Sequence, residues 1–171
     1  MKSVFILLIP FFFSCQRASE TNRPDLNEIP VIDTTPRVTG IGGVFFYADQ
    51  PSSTKNWYAD QLGITTDDYG AVFEFRNANR PNEINYLRWS LFSDTIRFMA
   101  PSEKKFMINY RVNNLRGLVR KLKASNVNIL DTIETYNYGS FIHIMDPEGN
   151  KIELWEPIDR ALSKLGEHTT K

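Results

Sequence analysis

The chain has 171 residues, with 20 Lys or Arg against 20 Asp or Glu and hence no formal net charge at neutral pH. That length holds one globular domain with a sizeable core and is short for two, and the balanced charge excludes both a basic surface that steers toward nucleic acid and an acidic solvating tail. The 12 Phe, 7 Tyr and 3 Trp suit a packed domain with an aromatic-lined pocket, without saying what the pocket holds.

The opening MKSVFILLIPFFFSCQRASE stands apart from the fold. Lys2 precedes an apolar stretch from Val4 to Phe13, well short of the ~20 residues of a membrane span. Ser14 and Cys15 follow at once. This resembles a bacterial lipoprotein signal, in which a small residue precedes a cysteine that is lipidated and becomes the new N-terminus. Phe12 departs from the leucine usual three residues before that cysteine; an ordinary secretory signal or a short membrane anchor are the alternatives. The resemblance implies a signal peptide over residues 1–14, lipidation at Cys15, and a domain tethered to a membrane at the bacterial envelope, with secretion as the alternative. Cys15 is the single cysteine, so no internal disulfide forms. Residues 15–37, punctuated by Pro24, Pro30 and Pro36, read as a polar linker.

From there the elements come in two similar series. IGGVFFYA (41–48) is an apolar strand rich in β-favouring aromatics. Pro51 then opens a helix, SSTKNWYADQL, which Gly63 ends. AVFEFR (71–76) and YLRWSLF (86–92) are strands separated by the loop NANRPNE. FMINYRV (106–112) alternates as a half-buried strand, with Asn113 as N-cap of a helix whose Leu115, Leu118, Val119 and Leu122 form one apolar face. Arg116, Arg120, Lys121 and Lys123 make its solvated face. Strands are expected at 128–134, 140–145 and 151–155. The order strand, helix, strands thus occurs twice, as two βαβββ units curling around a shared cleft. Residues 158–171 read as a polar tail, and His168 within it as non-functional.

The end of the second series fixes a register. Asp-Pro-Glu-Gly suits a type I turn followed by a glycine at positive φ, which closes Asp146 against Asn150. Met145 then faces Lys151, Ile144 faces Ile152, His143 faces Glu153, Ile142 faces Leu154 and Phe141 faces Trp155. Ile142, Ile144, Ile152 and Leu154 form one wholly apolar side, suited to lie beneath a helix. The other side carries Phe141, His143, Met145, Lys151, Glu153 and Trp155 and is suited to line a cup. On FMINYRV the same alternation leaves Met107, Asn109 and Arg111 facing inward.

GVFFYADQP with WYADQLGI, FMINYRVNNLRGLVRKLKASNV and DPEGNKIELWEP, in this order, resemble the glyoxalase/bleomycin resistance/dioxygenase superfamily, also called vicinal oxygen chelate proteins, over residues 38–157. The resemblance implies an α+β fold, a curved mixed sheet around a central cleft, with paired domains and hence a homodimer as a common outcome. It also implies a divalent metal held by side chains from the first and last strands of each unit, commonly two histidines and two carboxylates. Glu153 falls at the last-strand carboxylate position. Met107 and Gly42 fall where the two histidines stand, and the fourth position lies in YLRWSLF, which has no carboxylate. A thioether favours soft ions and glycine offers no ligand, so a divalent metal is disfavoured unless rebuilt from His143, Glu153 and Glu74.

His143 and Glu153 suit a structural hydrogen-bonded pair, or a general acid–base pair. Arg111 is suited to clamp an anionic or carbonyl ligand that Asn109 orients, or to a buried salt bridge with Glu153 or Glu74. Trp89, Phe141 and Trp155 are candidates to stack on a planar ligand. The reading that follows is a tethered small-molecule-binding domain. A lyase, isomerase or dioxygenase, metal-dependent or built on His143, and a structural envelope lipoprotein are the alternatives.

Overall fold

The computed structural model describes residues 33–78, 80–163 and 169–171. The expected signal peptide, Cys15 and His168 lie outside these residues.

Strand β1 (Arg37–Tyr47) leads through Pro51, in the first turn, into α1 (Pro51–Leu62). Gly63 ends that helix at φ 68°, its N–H donating to the Ala59 carbonyl at 2.9 Å, a left-handed conformation that favours glycine. Strands β2 (Thr66–Asp67), β3 (Gly70–Asn77) and β4 (Arg80–Phe92) complete the first unit. The second repeats the order with β5 (Phe106–Asn113), α2 (Leu115–Ala124), β6 (Asn128–Ile129), β7 (Glu134–Tyr136), β8 (Gly139–Met145) and β9 (Lys151–Pro157), followed by the short α3 (Asp159–Leu162).

The strands join in one sheet of order β2-β3-β4-β1-β5-β9-β8-β6, with β7 on β8. Within each unit the first and last strands run parallel, β1 with β4 and β5 with β9, and the units meet where β1 pairs antiparallel with β5. This is the expected duplicated, mixed α+β sheet.

Packing follows the alternation. Leu115, Leu118 and Val119 of α2 bury against Val112, Ile142, Ile144 and Leu154. Each fully buried aliphatic side chain of this kind contributes about 1.5–3 kcal/mol. A second cluster, Phe45, Met99 and Met107 with Tyr47, Phe92 and Phe98 around it, fills the sheet where the two units join. The closing hairpin has the expected register throughout, from Met145 opposite Lys151 to Phe141 opposite Trp155. Its turn is built as read: Gly149 sits at φ 77° and donates to the Asp146 carbonyl at 3.1 Å, while the Asp146 N–H donates to the Asn150 carbonyl at 3.0 Å.

Two local expectations are corrected. Asn114, and not Asn113, caps α2: it adopts φ 55° and its side-chain oxygen accepts the Gly117 N–H at 2.9 Å. Asparagine tolerates this left-handed geometry and is a favoured N-cap, whereas Asn113 remains in β5 and its amide donates to the Asp33 and Thr35 carbonyls at 2.6 and 3.1 Å. The single strand expected at 128–134 is split into β6 and β7. After the Leu130 N–H meets the His143 carbonyl, the Asp131 carboxylate accepts the His143 backbone N–H at 2.8 Å. A side chain thus replaces a strand carbonyl, and the backbone leaves the sheet until Glu134.

Leu115 has no solvent exposure at the centre of the α2 contact. Leu115→Ala should therefore lower unfolding stability by about 2–5 kcal/mol. Urea unfolding followed by circular dichroism measures this directly, and a loss under about 1 kcal/mol would show that the contact is not a tight core.

Candidate functional site

The concave face of the sheet encloses a cavity of about 810 Å³, within the range of small-molecule sites. Its floor is set by register. Asn109 of β5 pairs with Glu153 of β9, and Glu153 pairs with His143 of β8, so three polar side chains stand abreast on one face. Asn109 Nδ2 donates to Glu153 Oε1 at 2.6 Å, and His143 Nε2 lies 3.0 Å from Glu153 Oε2. The loop released between β6 and β7 extends the chain, with Asp131 Oδ2 at 2.6 Å from His143 Nδ1. A carboxylate therefore faces each ring nitrogen, which suits the imidazolium, donor at both. Burial opposes that charge, but the hydrogen bond and field of Glu153 and the hydrogen bond of Asp131 outweigh it and hold the imidazole above its ordinary value.

Nearby, burial draws the Lys151 ammonium below its ordinary value despite the carboxylates of Asp131 and Glu153. Lys151 is occupied by the Phe98 carbonyl, 3.0 Å away, and lies over the Phe98 ring. Across the cup, Arg88 of β4 holds Asp67 of β2 with two hydrogen bonds of 2.7 and 2.9 Å. Burial acts against the Asp67 charge, but these bonds prevail and keep the carboxyl below its usual range.

The walls are aromatic. Phe141 and Trp155 lie parallel at 5.7 Å, and Tyr136 and Tyr138 lie parallel at 5.4 Å toward the rim. The Tyr136 hydroxyl donates to Glu134 at 2.6 Å. Tyr69, Tyr86 and Phe98 line the remaining wall.

His143, Glu153, Asn109, Phe141 and Trp155 thus come together in the cup, as their alternation indicated. Arg111 does not join them. It is 3% exposed, donates to the Tyr86 carbonyl at 3.0 Å, pairs with Asp159 of α3 and lies 5.2 Å from the Trp155 ring centre. The expected salt bridge exists, but its partner is Asp159 and neither Glu153 nor Glu74. Trp89 is also displaced from the expected role: it packs on Phe46 and on Tyr58 of α1, on the opposite face of the sheet. Arg88, the residue before it, and Tyr86, two residues earlier on the same parity, take the cavity face.

Gly42 and Met107 also acquire surroundings. Gly42 is the extra residue of a β1 bulge between Ile41 and Gly43, and a Cβ there would collide with Asn109 Oδ1, Trp155 and Arg111. Met107 has no exposure and packs with Phe45 and Met99. Glu74 accepts the Thr169 hydroxyl at 2.6 Å. Among the described residues, no group of three or more His, Cys, Asp or Glu is disposed to hold a metal ion.

The residues that sequence reading missed are Asp131, Asp67, Arg88, Tyr136 and Tyr138. For Arg88 a signal existed, because Leu87, Trp89 and Leu91 form the apolar parity of β4 and leave Tyr86 and Arg88 on the other face. Asp131 had none, since it comes from a loop.

No curated protein matches the chain. Among solved structures, a methylmalonyl-CoA epimerase variant from Streptomyces coelicolor in complex with 2-nitronate-propionyl-CoA is similar at 12% identity and TM-score 0.52, covering 71% of this chain and 99% of that one. The methylmalonyl-CoA epimerase of Mycobacterium tuberculosis is 22% identical at TM-score 0.47, covering 74% and 93%. A glyoxalase/bleomycin resistance protein/dioxygenase superfamily member from Vibrio splendidus 12B01 is 15% identical at TM-score 0.43, covering 71% and 99%. The sequence profile of the same superfamily matches residues 40–154, from the glycines of β1 into β9, and with both βαβββ units inside that span the chain belongs to the Glyoxalase/Bleomycin resistance protein/Dioxygenase superfamily.

Proposed function

We propose that this domain binds a small organic molecule in the cup without a catalytic metal, and that a lipid on Cys15 tethers it at the bacterial envelope. The observation that carries the binding reading is the state of the one carboxylate at a family metal position. Both oxygens of Glu153 are engaged, Oε1 by Asn109 and Oε2 by His143. An imidazolium held between two carboxylates has no lone pair to offer a metal. The space beside Gly42 is filled by Asn109 and Trp155, and Met107 is sealed in an apolar cluster. These residues do not fit a divalent ion of the kind that oxygen and imidazole ligands hold. What they leave is a polar floor with aromatic walls, the usual composition of a small-molecule site.

A second reading draws on the same chain of groups. Glu153 is 11% exposed at the floor and Asp131 43% exposed at the surface, with His143 between them. That line is suited to passing a proton between a bound molecule and solvent. The two readings separate on whether a bound ligand is turned over.

Three outcomes are expected. In thermal-shift measurements the purified chain should respond to members of a panel of small aromatic and polar compounds and not to zinc, nickel or manganese. Stabilisation by an equimolar divalent ion would refute the metal-free reading, and a silent panel would favour a structural role.

The raised imidazole pKa gives a pH dependence of defined sign. Stability from the charged pair is fully present below roughly pH 6.5, the ordinary histidine value, and is lost as pH rises through the raised folded value. The stability gap between the wild type and His143→Gln should therefore shrink with rising pH in denaturant unfolding. A gap that stays constant or widens would mean that His143 is not held charged.

The tether rests on the sequence MKSVFILLIPFFFSC. No helix among the described residues is long and apolar enough to cross a membrane. Cys15→Ser should move the protein from the membrane to the soluble fraction, and persistence in the membrane fraction would rule out lipidation as the anchor.

A further inference from the structure

The corresponding helices of the two units differ in charge. α1 carries one lysine and one aspartate, Lys55 and Asp60, whereas α2 carries Arg116, Arg120, Lys121 and Lys123 and no acid. All four are exposed, and among the described residues none of them makes an ion pair. Arg116, Arg120 and Lys123 follow at i, i+4 and i+7 and stand in one line, with Lys121 on the flank of the same exposed face. Helix stability accounts for only part of this pattern. Lys121 and Lys123 in the last turn suit the helix dipole, but Arg116 in the first turn opposes it and repels Arg120. The acid at that end is engaged elsewhere: the Glu156 oxygens accept the Asn114 and Leu115 N–H groups at 2.9 and 3.2 Å.

The chain that follows Cys15 enters the fold at this helix. The Asn113 and Asn114 amides donate to the Asp33 and Thr34 carbonyls at 2.6 and 2.8 Å, and Pro36 occupies the space that a Cβ on Gly117 would need. Even fully extended, the stretch from Cys15 to Asp33 spans at most ~60 Å, so a lipid on Cys15 would keep α2 near the bilayer. α2 lies over Ile142, Ile144 and Leu154 on one side of the sheet. His143, Glu153 and Trp155, which alternate with them along β8 and β9, line the cup on the other side.

Resting on the tether proposed above, we infer that the exposed face of α2 docks on an anionic lipid surface, with the cup left facing the aqueous side. Charge complementarity supplies the attraction, since each lysine or arginine near an anionic leaflet strengthens binding about fivefold. The tether makes the contact intramolecular, so four such cations suffice without an inserted apolar segment. Docked in this way, the sheet stands between the membrane and the cavity, and a ligand reaches the cup from solution.

Amine labelling of the full-length chain on vesicles tests the docking, with mass spectrometry reading each lysine. Lys121 and Lys123 should react about fivefold more slowly on phosphatidylglycerol-containing vesicles than on pure phosphatidylcholine at about 0.1 M salt, and equally on both at about 0.5 M. Lys171 is the internal control: it is exposed beside Thr170, which pairs with β3, four strands from β9, and should react equally on both vesicles. Arg116→Gln combined with Arg120→Gln, at exposed positions that carry little folding risk, should bring the Lys121 and Lys123 rates on the two vesicles to within about twofold. Equal wild-type rates on the two vesicles, with the protein bound to both, would overturn the docking and leave the tether standing. Protection that persists at high salt or in the double variant would also overturn it, since the cationic face would not be its cause. Absence of the protein from both vesicles would overturn the tether and this inference together.

Discussion

The site depends on strand register at Glu153. The parallel β5–β9 pairing sets Asn109 beside it, and the β8–β9 hairpin sets His143 on its other side. A shift of one residue in either pairing would carry Glu153 toward the α2 face and bring Ile152 or Leu154 into the cup, because side chains alternate with period two. The tight turn that prevents such a slip is itself polar: the Asp146 carboxylate accepts the backbone N–H groups of Glu148 and Asn150 at 2.9 and 2.8 Å. Five turn residues thus determine where three cavity-lining side chains stand, and the apolar contact of α2 with Ile142, Ile144 and Leu154 holds the same register from the opposite face.

Burying this much polarity is tolerable only because nearly every group has a partner. Arg111 shows how the fold manages it. Its guanidinium is answered by the Tyr86 carbonyl, by Asp159 and by the faces of Trp155 and Phe75. Asp159 lies beyond β9, so the residues after the repeat complete a buried pair within it. Arg111 therefore ties α3 to the sheet, which withdraws its charge from the cup. The electrostatic character of the cavity follows from such internal pairings more than from the count of charges around it.

How legible this was depended on the range of the interaction. The hairpin faces, the α2 stripe and the meeting of His143 with Glu153 were readable, because local turn chemistry and alternation fix them within a short stretch of chain. Asp131 was not, since its role requires the backbone to leave the sheet at a point where the residues still read as a strand. The partner of Arg111 was misassigned for a related reason: Glu74 and Glu153 are nearer candidates by strand logic, whereas Asp159 is delivered by a helix of four residues that periodicity does not reveal. Trp89 was a different failure. Its aromatic character suits a cavity wall, but the parity it shares with Leu87 and Leu91 places it against α1.

Gly42 shows how closely the floor is packed. No side chain fits there, because Asn109, Trp155 and Arg111 close over the space a Cβ would need. Each of those neighbours is fixed in turn: Asn109 by Glu153, Trp155 by the Tyr138 carbonyl at 3.2 Å and Arg111 by Asp159. An imidazole introduced at this position would have to displace three anchored side chains, two of which hold other parts of the floor. The closure of the space at Gly42 is therefore distributed over a packed network and does not rest on one neighbour. In that network Glu153 joins Asn109 of β5 and His143 of β8 through its two oxygens, so that one carboxylate ties three adjacent strands together.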